Sequence, residues 1–76
     1  MTLKQRYDIA DIFLVRMYLY NTLKDNSIPS TTRVNLTLEL DCLRQMCDAL
    51  DIKVKINKDD SLKYTSVVLN GKEYKV

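Results

Sequence analysis

Apolar residues follow two different periods along this chain, and the change from one to the other falls near residue 51. From Leu3 to Leu23 the spacing is helical. At about 100° per residue, Lys4, Asp8, Asp11 and Thr22 gather in one narrow polar stripe that also holds Val15. The remainder is largely apolar and divides into two sides. Ile9, Ile12, Phe13, Leu19, Tyr20 and Leu23 form one, interrupted by Gln5 and Arg16. Leu3, Tyr7, Ala10, Leu14, Met17 and Tyr18 form the other. Thr2 and Gln5 have the spacing of a capping box. Asp25-Asn26-Ser27 before Pro29 marks the end, with Asn26 suited to a left-handed cap. The pattern predicts a helix over 3–25.

A second helix is predicted over 31–50. Leu36, Leu40, Leu43, Cys47 and Leu50 recur at helical spacing, joined by Met46, and face away from Arg33, Thr37, Asp41, Arg44 and Asp48. Residues 33–40 also fit a strand, since Val34, Leu36, Leu38 and Leu40 alternate with polar neighbours. The helical stripe continues to Leu50 whereas the alternation stops at Leu40, so helix is preferred.

Beyond residue 51 the period becomes two. Ile52-Lys53-Val54-Lys55-Ile56 alternates strictly, and strands are predicted over 52–57, 63–69 and 72–76. Asn70-Gly71 is the signature of a two-residue type I′ hairpin loop. That loop sets Val67 against Tyr74 and Thr65 against Val76. A four-residue loop at 58–61 would set Ile52 against Val67 and Val54 against Thr65. Ile52, Val54, Ile56, Val67, Leu69, Tyr74 and Val76 then share one face. Lys53, Lys55, Tyr64, Ser66, Val68, Glu73 and Lys75 share the other. The expected fold is α+β, a helical hairpin packed on one face of a three-stranded antiparallel β-meander in the order α-α-β-β-β, as a single domain over 1–76.

Size changes this picture by making stability scarce. Seventy-six residues bury only about 60–65% of their unfolded surface. Cys42 and Cys47 are five apart on a helix, on different sides, and do not form a bridge; both read as reduced core thiols of a cytoplasmic protein. Association is the remaining source of stability. The expectation is a homodimer, with Tyr7, Ala10, Leu14, Met17 and Tyr18 packed against their copies. The competing arrangement makes both sides of the first helix internal, one meeting the second helix and the other the sheet.

Charge and chemistry narrow the function classes. Ile9–Tyr20 spans twelve residues and contains Asp11 and Arg16, too short and too charged for a bilayer span of about twenty; the broken apolar start also argues against a secretory signal. The net charge is +2, with the excess of lysine confined to residues 52–76. There is no histidine, hence no commonest general base or transition-metal ligand. Asp8 and Asp11 sit side by side on a solvated stripe, and Asp59-Asp60 belongs to a turn. Nothing here signals catalysis, a metal or a cofactor.

What remains is binding. Arg16 lies within an apolar side, where it either packs its stem and reaches an acid such as Asp48, or anchors an interface. Lys53, Lys55 and Lys75 around Tyr64 give the sheet a lysine-and-aromatic surface of the kind that holds single-stranded nucleic acid. The reading favoured by the sequence is a small non-enzymatic regulator or inhibitor that occludes a protein partner; a nucleic-acid-binding module is the alternative. One Gly, one Pro and abundant Lys, Asn, Ile and Tyr suggest a low-GC genome, such as those of bacterial phages and mobile elements. The expected location is then the cytoplasm of a bacterial host.

Overall fold

The computed structural model describes residues 3–26 and 30–76, and the side chains of 8–26 and 31–76. Five elements follow in order: α1 (Leu3–Asp25), α2 (Ser30–Ala49), β1 (Val54–Lys58), β2 (Tyr64–Leu69) and β3 (Lys72–Lys75). The sheet is antiparallel in the order β1-β2-β3. The helices pack on one of its faces, α1 over β2 and β3 and α2 toward β1. This is the α+β architecture expected, and residues 33–40 are helical. At about 1.5 Å per residue, α1 alone spans most of the 38 Å long axis.

Phe13, Met17, Leu40, Val67 and Leu69 are fully enclosed, with Ala10, Cys47, Ile52 and Tyr64 completing the core. Leu40 and Cys47 form the seam of α2, while Met46 and Leu50, expected to join it, are exposed. Cys42 is exposed as well, which corrects the reading of both thiols as core. Burial pushes the Cys47 thiol above its ordinary value.

The ends of the helices differ from expectation. The proposed Thr2–Gln5 cap lies outside the described residues. Asn26 does not turn left-handed: its N–H continues the helical ladder to the Thr22 carbonyl, and its Nδ2 donates to the same oxygen at 2.8 Å. The left-handed cap is on α2 instead, at Asp51 (φ 62°). There the Asp51 N–H donates to the Asp48 carbonyl and the Ile52 N–H to that of Cys47, at 3.0 and 2.8 Å. Four carbonyls at a helix end lack intrahelical donors, and such a cap satisfies two of them. It also buries Ile52 against Cys47, a contact that fixes the exit toward β1.

The β2–β3 register is the one that Asn70-Gly71 dictates, with Val67 opposite Tyr74 and Leu69 opposite Lys72. Both turn residues are left-handed (φ 49° and 88°), as a type I′ turn requires. The β1–β2 register differs from the expected one by four residues. Val54 lies opposite Leu69 and Ile56 opposite Val67. An even shift leaves each side chain on its expected face, which is why the sequence pattern could not detect it. The loop responsible runs through 59–63 and closes with the Asp59 N–H donating to the Lys63 carbonyl and left-handed Leu62 (φ 66°).

Candidate interaction surfaces

A bulge decides the character of the sheet surface. Pairing is regular to Asn57 opposite Ser66, then slips so that Lys58 faces Tyr64, leaving Thr65 as the extra residue. An extra residue reverses the alternation beyond it. Tyr64 is therefore turned to the helical side, where it is 5% exposed. Its ring lies edge-on to Tyr20 at 4.9 Å, with the Lys58 ammonium 4.9 Å from its centroid. The expected placement of Tyr64 on the outer face is thus corrected. Among the described residues that face has no aromatic side chain. It carries exposed Lys53, Lys55, Glu73 and Lys75, half-buried Val68, and a ladder in which Asn57 Nδ2 donates to Ser66 Oγ and Ser66 Oγ to Glu73 Oε2, each at 2.9 Å.

The expected dimer face does not exist as drawn. Ala10 and Met17 are 1% and 0% exposed, because that side of α1 is the one laid on the sheet. Leu14 is half-buried at its border, Tyr18 is exposed, and the Tyr7 side chain is outside the described residues. The opposite apolar side contributes Phe13 to the core and Ile9 and Tyr20 to its margin, while Ile12 and Leu19 are exposed. Each apolar side of α1 thus contributes residues to the core.

Arg16 meets Glu39, not Asp48. Its Nε lies 3.2 Å from Glu39 Oε2, near enough for an ion pair but out of line for a hydrogen bond, while a terminal nitrogen donates to the Ile12 carbonyl at 3.2 Å. This half-exposed pair ties α1 to α2.

Among the described residues, two grooves flank the sheet. The first, about 330 Å³, opens where α1 overhangs β3 and is lined by Leu14, Val15, Tyr18, Leu19, Lys75 and Val76. Val15, Tyr18, Leu19 and Val76 are 57, 61, 44 and 45% exposed, an apolar cluster left uncovered by the fold. Only Leu14, Tyr18 and Lys75 of this group were singled out from sequence. Val15 was missed because the helical projection put it in the polar stripe with Asp11 and Thr22. The second groove, about 500 Å³, separates α2 from β1 and is lined by Asp41, Arg44, Gln45, Asp48, Ile52 and Val54.

Among the described residues no three His, Cys, Asp or Glu side chains gather as a metal site would need, and no helix is long and apolar enough to cross a membrane. Asp8 and Asp11 are exposed. Asp59 Oδ1 accepts from the Ser61 hydroxyl and from the backbone N–H groups of Ser61 and Lys63, at 2.7, 2.9 and 3.0 Å. These bonds, the Ser61 hydroxyl foremost, hold its carboxyl below the usual aspartate value. No protein-family model, curated protein or solved structure matches the chain.

Proposed function

We propose that this is a non-enzymatic regulator that occludes a protein partner, which it grips through the apolar groove between α1 and β3. The observation that carries the reading is the joint exposure of Val15, Tyr18, Leu19 and Val76 around one concavity. Contiguous apolar surface is costly to leave wet, and on soluble proteins a large patch of it marks an interaction site. Tyr18 can bury a ring while keeping its hydroxyl at the rim, and Lys75 supplies a charged border; an apolar centre with a polar rim is the anatomy of a protein interface. The burial of Tyr64 tells against the nucleic-acid alternative, since stacking on aromatic rings supplies much of the grip on single strands.

The test places a photo-crosslinking residue at Tyr18, or at exposed Asn35 of α2 as a control, and exposes each protein to a low-GC bacterial lysate. The expected result is a protein adduct from position 18 alone, with the purified partner binding at high salt and lost on Val15→Asp. Light scattering identifies the case in which the partner is a second copy, against a monomer of 8.9 kDa. Binding only to nucleic acid, weakening steeply with salt, overturns the reading. So does the absence of any adduct from position 18 combined with a monomer.

A further inference from the structure

We infer that the groove between α2 and β1 receives an extended peptide segment of a protein partner, added as a fourth strand to the edge of the sheet and carrying acidic residues at alternate positions. This surface is distinct from the α1/β3 groove, so either proposal can fail while the other stands.

The backbone supplies the first part of the argument. Among the described residues β1 pairs only with β2, so it is an edge. The Lys53 N–H donates to Asn70 Oδ1 and its carbonyl accepts from the Asn70 N–H, both directed toward β2. Lys55 and Asn57 direct theirs the same way in the ladder, opposite Val68 and Ser66. Alternate residues of a strand aim their backbone groups to opposite sides. Val54, Ile56 and Lys58 therefore present N–H and C=O groups outward along the edge. Strand addition to such an edge draws its affinity from main-chain hydrogen bonds and its specificity from alternate side-chain positions.

Side chains on the two faces of β1 then specify the occupant. An added strand would send every second side chain to the outer face, beside exposed Lys53 and Lys55, where carboxylates are matched. The residues between would enter the groove over Ile52 and Val54, against the α2 wall. On that wall Arg44 is paired with Asp41 at 3.8 Å, while Asp48 has no ion pair among the described residues. An arginine or lysine flanked by apolar residues fits these positions. Lysines are common devices for keeping sheet edges from pairing with one another. Here they disfavour the β1 strand of a second copy, which would bring the Lys53 and Lys55 of one chain against those of the other, and favour an acidic strand.

The probe is a capped heptapeptide alternating Glu with Leu, Arg and Leu, followed by amide resonances of the full chain. Saturable shifts and slowed exchange at Val54 and Ile56 are expected, at peptide concentrations below about 1 mM. Lys53→Glu with Lys55→Glu should weaken this peptide tenfold or more and restore binding to its charge-swapped form, in which Lys replaces Glu. Methylating the peptide nitrogens that face β1 should abolish binding to the unmodified protein, a result that needs no variant to fold. Equal binding of the methylated peptide, shifts confined to the α1/β3 groove, or no saturable shift would each overturn the proposal.

Discussion

The side-chain amide of Asn21 pairs with the backbone of Tyr64 as a neighbouring strand would: its Nδ2 donates to the Tyr64 carbonyl and its Oδ1 accepts the Tyr64 N–H, each at 2.8 Å. The bulge at Thr65 interrupts the ladder, and this amide satisfies backbone groups that the interruption would strand. Only an amide both donates and accepts in this geometry. Asn21→Asp should destabilise the protein more than Asn21→Ala, because a carboxylate would face the Tyr64 carbonyl. Losses of about 1–3 kcal/mol are expected from the unsatisfied buried groups. Urea melts check the order; equal stability of both variants and the parent would contradict it.

Asn70 performs two separable tasks. It adopts the left-handed turn conformation, and its Oδ1 accepts the Lys53 N–H at 2.8 Å, tying the start of β1 to the β2–β3 turn. Asn70→Gly keeps the first and loses the second, at about 0.5–1.5 kcal/mol. Asn70→Ala loses both and should cost about 1–2 kcal/mol more. Thermal melts that rank Ala at or above Gly would show that the turn conformation is not limiting.

The two thiols should react very differently. Cys42 is exposed, whereas Cys47 is buried and its thiol is pushed up by desolvation, which reduces the reactive thiolate. Native protein treated with a chromogenic disulfide reagent at neutral pH should release one fast equivalent, absent from Cys42→Ser. Two fast equivalents, or an intramolecular disulfide found by mass spectrometry, would contradict the placement of Cys47.

The stability contributed by Asp59 should depend on pH in one direction. Its folded carboxyl titrates below the ordinary 3.8 because the Ser61 hydroxyl and the Lys63 and Ser61 N–H groups favour the charged form. The contribution is fully present above that ordinary value and is lost as pH falls through the lowered one. Asp59→Asn should therefore trail the parent near neutral pH and draw level with it in acid. A gap independent of pH, measured by melts across an acid series, would refute this account.

How much of this was legible depends on what the residues announce. Asn70-Gly71 names its own turn, so the β2–β3 register followed. The loop at 59–63 and the cap of α2 use left-handed Leu62 and Asp51 where glycine is the usual residue, so the sequence carries no mark of either. Leu62 is 61% exposed and offers no packing reason for its position. The bulge at Thr65 leaves no mark in a β-branched run, and it alone moved Tyr64 from the outer face to the core. On α1 the two apolar sides were visible, but their ranking was not. The sheet decides that ranking by claiming Ala10 and Met17, a choice made by tertiary packing.

The Asn21–Tyr64 clamp also carries a consequence for the order of events in folding. The two residues are 43 apart in sequence, whereas both hairpins and the α1–α2 pair join neighbours along the chain. Local contacts form at small entropic cost, and distant ones must first close a loop. We expect the docking of α1 onto β2 to be the slow event, with hairpin amides protected from exchange before those of Asn21 and Tyr64. Until that closure, Phe13 and Met17 on one piece and Val67 and Leu69 on the other remain wet, and in that interval the chain is most prone to join another copy of itself.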